Sequence, residues 1–226
     1  FKLLLMHTYA STDFDVHRNW LAITFRLSPQ CWYFDSTSEW TLDYPPLFAY
    51  YEAALSRIAS LFDTSMLELT AVPIRHTRIL LFQRFSVLLS DVLLLVGVKR
   101  LVHTLFSVDV LASGGVKLKE QLSRTRALRL AVAALVVLNF ALLLVDHIHF
   151  QYNGVLLGLL LLSIDLAARR RFLLATVSFA LLINAKHLFI TLGPVIACYY
   201  LKFYIFNNNN HTNNNSNNKQ FENNSS

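Results

Sequence analysis

Only two cysteines occur in 226 residues, Cys31 in a polar segment and Cys198 in an apolar run. That excludes a disulfide framework and leaves no metal-ligand spacing. Charge is scarce too: Asp, Glu, Lys and Arg make up 15% of the chain, well below the roughly one quarter of an average soluble domain. No stretch has the basic start and small-residue cleavage site of a signal peptide. Apolar side chains take the place of charge. They form 54% of the sequence, with 17 Phe, 9 Tyr and 3 Trp, and the mean hydropathy is +0.43. Such a composition belongs to an integral membrane protein. The formal charge of +6 does not point to nucleic acid, because the basic residues are split into short clusters beside apolar runs and form no continuous groove.

A bilayer core about 30 Å thick takes roughly 20 apolar residues to cross as a helix. Five stretches fit: 79–98, 127–145, 152–168, 172–185 and 187–205, the fourth short and either a span of its own or joined to the fifth through a break at Lys186. The opening FKLLLM (1–6) reads as the last turns of a truncated first membrane helix, so the sequence is taken as a fragment. Helices are the only open-ended structures that satisfy their own backbone in lipid, which predicts an all-α, polytopic membrane fold. Lys99, Arg100, Lys117, Lys119, Arg124, Arg126 and Arg169 to Arg171 flank alternate ends of the spans, whereas the loop DHIHFQ (146–151) has no Lys or Arg. The basic loops are therefore assigned to the cytosol, and residues 7–78 and 146–151 to the opposite side. The organisation expected is a long first loop over 7–78, a bundle of about five helices over 79–205 and an Asn-rich, disordered tail over 206–226.

The first loop holds eight of the fourteen acids and all three tryptophans. In STDFDVHRNW (11–20), Asp13 and Asp15 precede an apolar stripe of Val16, Trp20, Ile23 and Leu27, with Arg18 and Asn19 off it. The pattern predicts a helix lying along the membrane surface with tryptophan at the interface. A second such helix should begin after Tyr44-Pro45-Pro46, where proline is tolerated in a first helical turn. Two readings of the acids stand. Thr12 with Asp15 fits a capping box, in which acids complement the helix dipole. Alternatively, the acids sit at headgroup depth to meet a lipid-borne substrate, and because Asp13 and Asp15 cannot share a helix face they do different jobs.

A second polar constellation is DHIHFQYN (146–153), with His147, His149, Gln151 and Asn153. It reads either as polar caps on helix ends or as a cluster that binds phosphate or sugar hydroxyls. H-x-H with one flanking acid lacks the further ligands of a zinc site, so no metal is implied. Lys186 and His187, at the break between two spans on the same side, add positive charge. The spans carry few ionisable groups (Arg84, Asp91, Asp165), which favours chemistry at the membrane surface over a permeation path.

STDFDVHRNWLAIT, TSEWTLDYPPLFAYYE, LFQRFSVLLSDVLL and DHIHFQYNGVLLGLLLLSI together resemble the endoplasmic-reticulum dolichyl-phosphate-glucose glucosyltransferases of asparagine-linked glycosylation, in order through about residue 203. Within that family, an isoleucine between His147 and His149 resembles the branch that adds the second glucose; the first-glucose branch has glycine there. The second-glucose branch usually has glutamate at the position of Asp15. The resemblance implies a GT-C helix bundle with its catalytic acid on a long luminal loop, of which this chain supplies roughly the N-terminal half. It implies dolichyl phosphate glucose as donor, a dolichyl-pyrophosphate-linked oligosaccharide already carrying one glucose as acceptor, and no cofactor. The family's catalytic carboxylate falls on Asp13, acting as base in a single inverting displacement. Asp15, Arg18, His147, His149, Gln151, Asn153, Lys186 and His187 are the candidate phosphate and sugar contacts. The competing readings are the first-glucose enzyme and a membrane transporter or scaffold. Without the C-terminal helices of the family, the fragment alone is expected to be inactive.

Overall fold

The computed structural model describes residues 2–5, 9–111 and 118–206, and every regular element among them is helical. Lys2–Leu5 forms a 3-10 turn. Two helices of the first loop follow, α1 (Thr12–Arg26) and α2 (Pro46–Phe62, with Pro46 in its first turn). The long helix α3 runs over Thr77–Leu111 and α4 over Leu118–Val137. Asn139 then interrupts the chain, its side chain accepting from Ala141 N and Leu142 N to start the single turn α5 (Phe140–Leu142). A π-helical turn over Leu143–His149 leads to α6 (Asn153–Ala168) and α7 (Phe172–Ala185). Two compact units are separable, residues 1–187 and 188–226. In the second, a 3-10 turn precedes α8 (Gly193–Tyr200) and a π-turn over Leu201–Phe206, with Tyr199 against Phe203 at 4.7 Å.

Among the described residues, three stretches are long and apolar enough to cross a membrane: Thr77–Phe106, Ser123–His149 and His187–Phe206. The helices α6 and α7 are shorter. The first extends past the expected 79–98 because Lys99 and Arg100 mark a change of polarity, and neither residue breaks a helix. The second takes in Asp146 to His149, so the expected 146–151 loop is largely helical. The break at Lys186 is real: its extended backbone (φ −151°, ψ 112°) ends α7. Lys117 and the Asn-rich tail over 207–226 lie outside the described residues.

Packing between α3 and α6 depends on missing side chains. Gly154 and Gly158, four apart and so on one helix face, form a G-x-x-x-G pair. A Cβ on Gly158 would sit 2.7 Å from the Leu93 carbonyl, and one on Gly97 would sit 2.8 Å from Gly158 O. The two backbones therefore touch, the packing mode that serves helices in lipid. At the far end of α6, fully buried Asp165 gathers Arg100 Nε at 3.2 Å, Arg169 Nε at 2.9 Å and the Thr104 hydroxyl. The turn into α7 is a Schellman motif: Arg171 N donates to Leu166 O, Arg170 N donates to Ala167 O, and Arg170 takes φ 61° where glycine is usual.

Helix α1 departs from its predicted surface role. Its sides are buried nearly all round, and Arg18 (0% exposed) and Asn19 lie deeper than Val16 or Leu27 of the predicted stripe. The connections before and after α2 wrap the helix, and its polar side chains satisfy their carbonyls. Asn19 Nδ2 donates to Trp40 O, the Trp20 indole to Thr41 O, Arg18 Nη1 to Glu68 O and Arg26 Nε to Leu67 O. Buried backbone carbonyls need such partners, so polar groups off the stripe are recruited inward. The core formed this way includes Phe14, Trp20, Phe48, Phe82, Phe150 and Tyr152. The last two carry the second polar constellation into the first loop.

Candidate active site

Ser11, in extended conformation, precedes α1 and makes no side-chain cap; its hydroxyl instead donates to His149 O. The capping-box reading therefore does not describe this end. Phe150 takes φ 82°, a left-handed conformation that costs a bulky residue about 1–2 kcal/mol. Its fully buried ring holds it there, edge-on to Phe14 and to His17 at 5.3 Å each. Arg84 fixes the same corner, donating to the carbonyls of His147, Ile148 and Tyr9. The consequence is a reversal of direction that turns both His149 and Gln151 toward the start of α1.

There they meet Asp13. Gln151 Nε2 donates to Asp13 Oδ2 at 2.8 Å, and His149 Nε2 lies 3.2 Å from the same oxygen. The Asp13 side chain keeps 28% of its surface exposed, and Oδ1 has no hydrogen bond among the described residues. Behind Gln151, Asn153 Nδ2 donates to Gln151 Oε1 at 3.0 Å and to Asp146 Oδ1 at 2.9 Å. Asp146 also accepts from Asn153 N and Gly154 N and so caps α6. Lys186 Nζ reaches Asn153 Oδ1 at 3.3 Å and stands 5.3 Å over the Tyr44 ring. Asp13, His149, Gln151, Asn153 and Lys186 thus form one connected polar cluster with an exposed carboxylate at its end.

The other candidates lie elsewhere. Asp15 is 1% exposed and gripped by Arg75, whose Nε lies 3.0 Å away and whose Nη2 holds the second oxygen. That contact pushes the Arg75 guanidinium above its usual range. Arg18 is buried on the carbonyl of Glu68, and desolvation lowers its pKa against the pull of Asp15 and Glu68. His147 is buried with Nε2 3.0 Å from Asp91 Oδ2, an oxygen it shares with Lys2 at 2.6 Å. His187 is exposed, and among the described residues no hydrogen bond or ion pair joins it to the cluster. Among the described residues no group of three or more His, Cys, Asp or Glu is arranged to hold a metal ion.

Sequence reasoning missed several supporting residues. Glu52 is fully buried with Oε1 2.6 Å from His17 Nδ1, and desolvation raises its carboxyl above the ordinary range while His17 pulls it back. Five aromatic rings, of Trp20, Tyr44, Phe48, Phe150 and Tyr152, surround His17. Asp146 was visible inside DHIHFQYN, seven residues ahead of Asn153, a reach that only the π-helical turn makes plain. No local signal could have paired Arg75 with Asp15 across sixty residues.

The ALG6, ALG8 glycosyltransferase family matches residues 1–223. The chain belongs to this family. It is 45% identical over 203 residues to the "Probable dolichyl pyrophosphate Glc1Man9GlcNAc2 alpha-1,3-glucosyltransferase" of Drosophila melanogaster. To the proteins named "Dolichyl pyrophosphate Glc1Man9GlcNAc2 alpha-1,3-glucosyltransferase", it is 45% identical over 205 residues in Mus musculus and 47% identical over 204 residues in Arabidopsis thaliana. These alignments cover 90%, 91% and 90% of this chain, and the chain spans 37% of the length of each relative. The acids and the polar cluster described above all lie within the family's matched range.

Proposed function

We propose that this chain is the N-terminal part of an enzyme that transfers glucose from dolichyl phosphate glucose to a dolichyl-pyrophosphate-linked oligosaccharide already bearing one glucose, forming an alpha-1,3 linkage. The names of its relatives, consistent across animals and plants, support the acceptor and the linkage. The observation that carries the mechanism is Asp13: a part-exposed carboxylate with Oδ2 engaged and, among the described residues, no hydrogen bond on Oδ1.

In one displacement, Asp13 Oδ1 takes the proton from the acceptor 3-hydroxyl while that oxygen bonds to C1 of the donor glucose. The bond from C1 to the phosphate oxygen breaks, and its electron pair leaves with dolichyl phosphate. Attack from the face opposite the leaving group converts a β-phosphosugar into an α-glycoside. A single base suffices, and no covalent glucosyl enzyme forms. The departing phosphate needs cationic or hydrogen-bonding partners more than an acid. His149, about half exposed, and the Lys186 ammonium supply them. The site faces the lumen of the endoplasmic reticulum, with the basic turns at Arg100 and Arg169 to Arg171 in the cytosol.

Cells lacking the second-glucose activity provide the test, complemented with the full-length protein and scored by the size of their lipid-linked oligosaccharides. The wild-type protein should clear a one-glucose intermediate. Accumulation of an intermediate without glucose, or an unchanged profile, would reject the assigned acceptor.

A further inference from the structure

We propose that Asn153 is a positioning residue for Asp13: held between Asp146 and Lys186, it locks the Gln151 amide so that its N–H group can face only the Asp13 carboxylate. This rests on the reading of Asp13 as the base.

Hydrogen-bond polarity fixes this arrangement. An ammonium has donors and no acceptor, and an ionised carboxylate accepts and cannot donate. Lys186 Nζ lies 3.3 Å from Asn153 Oδ1, and Asp146 Oδ1 lies 2.9 Å from Asn153 Nδ2. Turning the Asn153 amide over would set its NH2 against an ammonium and its oxygen against a carboxylate, so a single orientation remains. Its second Nδ2 hydrogen then points at Gln151 Oε1, 3.0 Å away. With its oxygen so occupied, Gln151 presents Nε2 to Asp13 Oδ2 at 2.8 Å. Four side chains from two separate stretches of chain, 146–153 and Lys186, thus pass one fixed polarity to the carboxylate.

Two consequences follow at Asp13. Its Oδ2 is committed to Gln151 and His149, which aims Oδ1 away from them. Its rotation is also arrested by an amide that cannot itself rotate, the preorganisation a proton transfer requires, since small misplacements of a reacting group cost large factors in rate. The sequence places Asn153 in the first turn of α6, where Asp146 caps it through the same side chain that orients it. Capping the helix and setting the base are therefore one contact.

A double-mutant cycle decides the matter, using glucosyl transfer by the full-length protein in proteoliposomes with dolichyl phosphate glucose and the monoglucosylated lipid-linked acceptor. Asn153→Ala and Gln151→Ala should each lower kcat by about 10- to 100-fold with the donor KM within about twofold of wild type. The double variant should be no slower than Gln151→Ala alone, because Asn153 acts only through Gln151. Losses that multiply in the double variant, or an Asn153→Ala effect confined to KM, would overturn the inference by assigning Asn153 to the fold or to substrate. If Asn153→Ala fails to reach the membrane, Asn153→Ser serves in the same cycle: it suits a helix start but cannot reach Gln151. Asp13→Asn separates the two levels of the account. A wild-type rate in that variant removes the base and the inference with it, whereas an inactive Asp13→Asn beside an uncoupled Asn153 removes the inference alone.

Discussion

Arg75→Gln removes the guanidinium that brackets the Asp15 carboxylate, and the size of the effect follows from the asymmetry of the pair. Asp15 is 1% exposed, whereas the Arg75 side chain is half exposed. Removing one partner of a fully buried ion pair costs about 3–5 kcal/mol, because the remaining charge is left uncompensated. Water already screens the outer side of Arg75, and glutamine still offers an N–H group, so the expected loss is about 2 kcal/mol. Asp15→Asn removes the buried charge instead and frees Arg75 into solvent, at a cost of about 1 kcal/mol for the weakened hydrogen bonds. The double variant should then be more stable than Arg75→Gln alone. Thermal unfolding of the four full-length proteins in nanodiscs measures this, alongside transfer assayed at a temperature where all are folded. Asp15→Asn should keep its activity, since Asp15 faces Arg75 and not the Asp13 cluster. The reasoning is refuted if Arg75→Gln melts like wild type, or if Asp15→Asn is folded but inactive, which would return Asp15 to contact with substrate.

Gly158→Ala should lower the unfolding midpoint by the equivalent of about 1–3 kcal/mol, because its new methyl group meets the Leu93 backbone at 2.7 Å. Gly193→Ala, with nothing within 4 Å, should leave the midpoint unchanged in the same melts. Glu52 offers a test in pH. Burial raises its carboxyl above the ordinary 4.5, so the folded state keeps a proton that the unfolded state releases, and stability falls as pH rises upward from that value. Glu52→Gln keeps an oxygen opposite His17 and removes the titration, so midpoints measured from pH 5 to pH 8 should fall less steeply than in wild type. Equal slopes would mean that Glu52 is ionised in the fold.

The apolar runs announced the membrane helices, and proline at 46 announced the start of α2, because both effects act within a few residues of sequence. The same locality explains why α1 misled. Its period of apolar residues described one buried face, but burial of Arg18 and Asn19 depends on carbonyls supplied from residues 40 and 68. The G-x-x-x-G pair at Gly154 and Gly158 was written in the sequence, but its partner Gly97 lies on another helix. At the site, residue types in DHIHFQYN indicated that polar chemistry gathers there. Which of them face Asp13 depended on one left-handed residue, Phe150, whose strain no composition reveals. His147 and His149 share the π-helical turn ahead of Phe150, and two residues apart on it they face different sides: one is buried on Asp91, the other stands beside Asp13.

In the proposed reaction the Asp13 carboxylate takes a proton as the glucosyl group moves. The most direct measurement is the single-turnover rate of glucose transfer by purified full-length protein, wild type against Asp13→Asn, with saturating dolichyl phosphate glucose and the monoglucosylated lipid-linked acceptor. Loss of a positioned base should slow the chemical step by about 100- to 10,000-fold, with donor affinity and unfolding midpoint unchanged. An Asp13→Asn protein that transfers glucose at more than about a tenth of the wild-type rate would contradict the account and place the base on another residue.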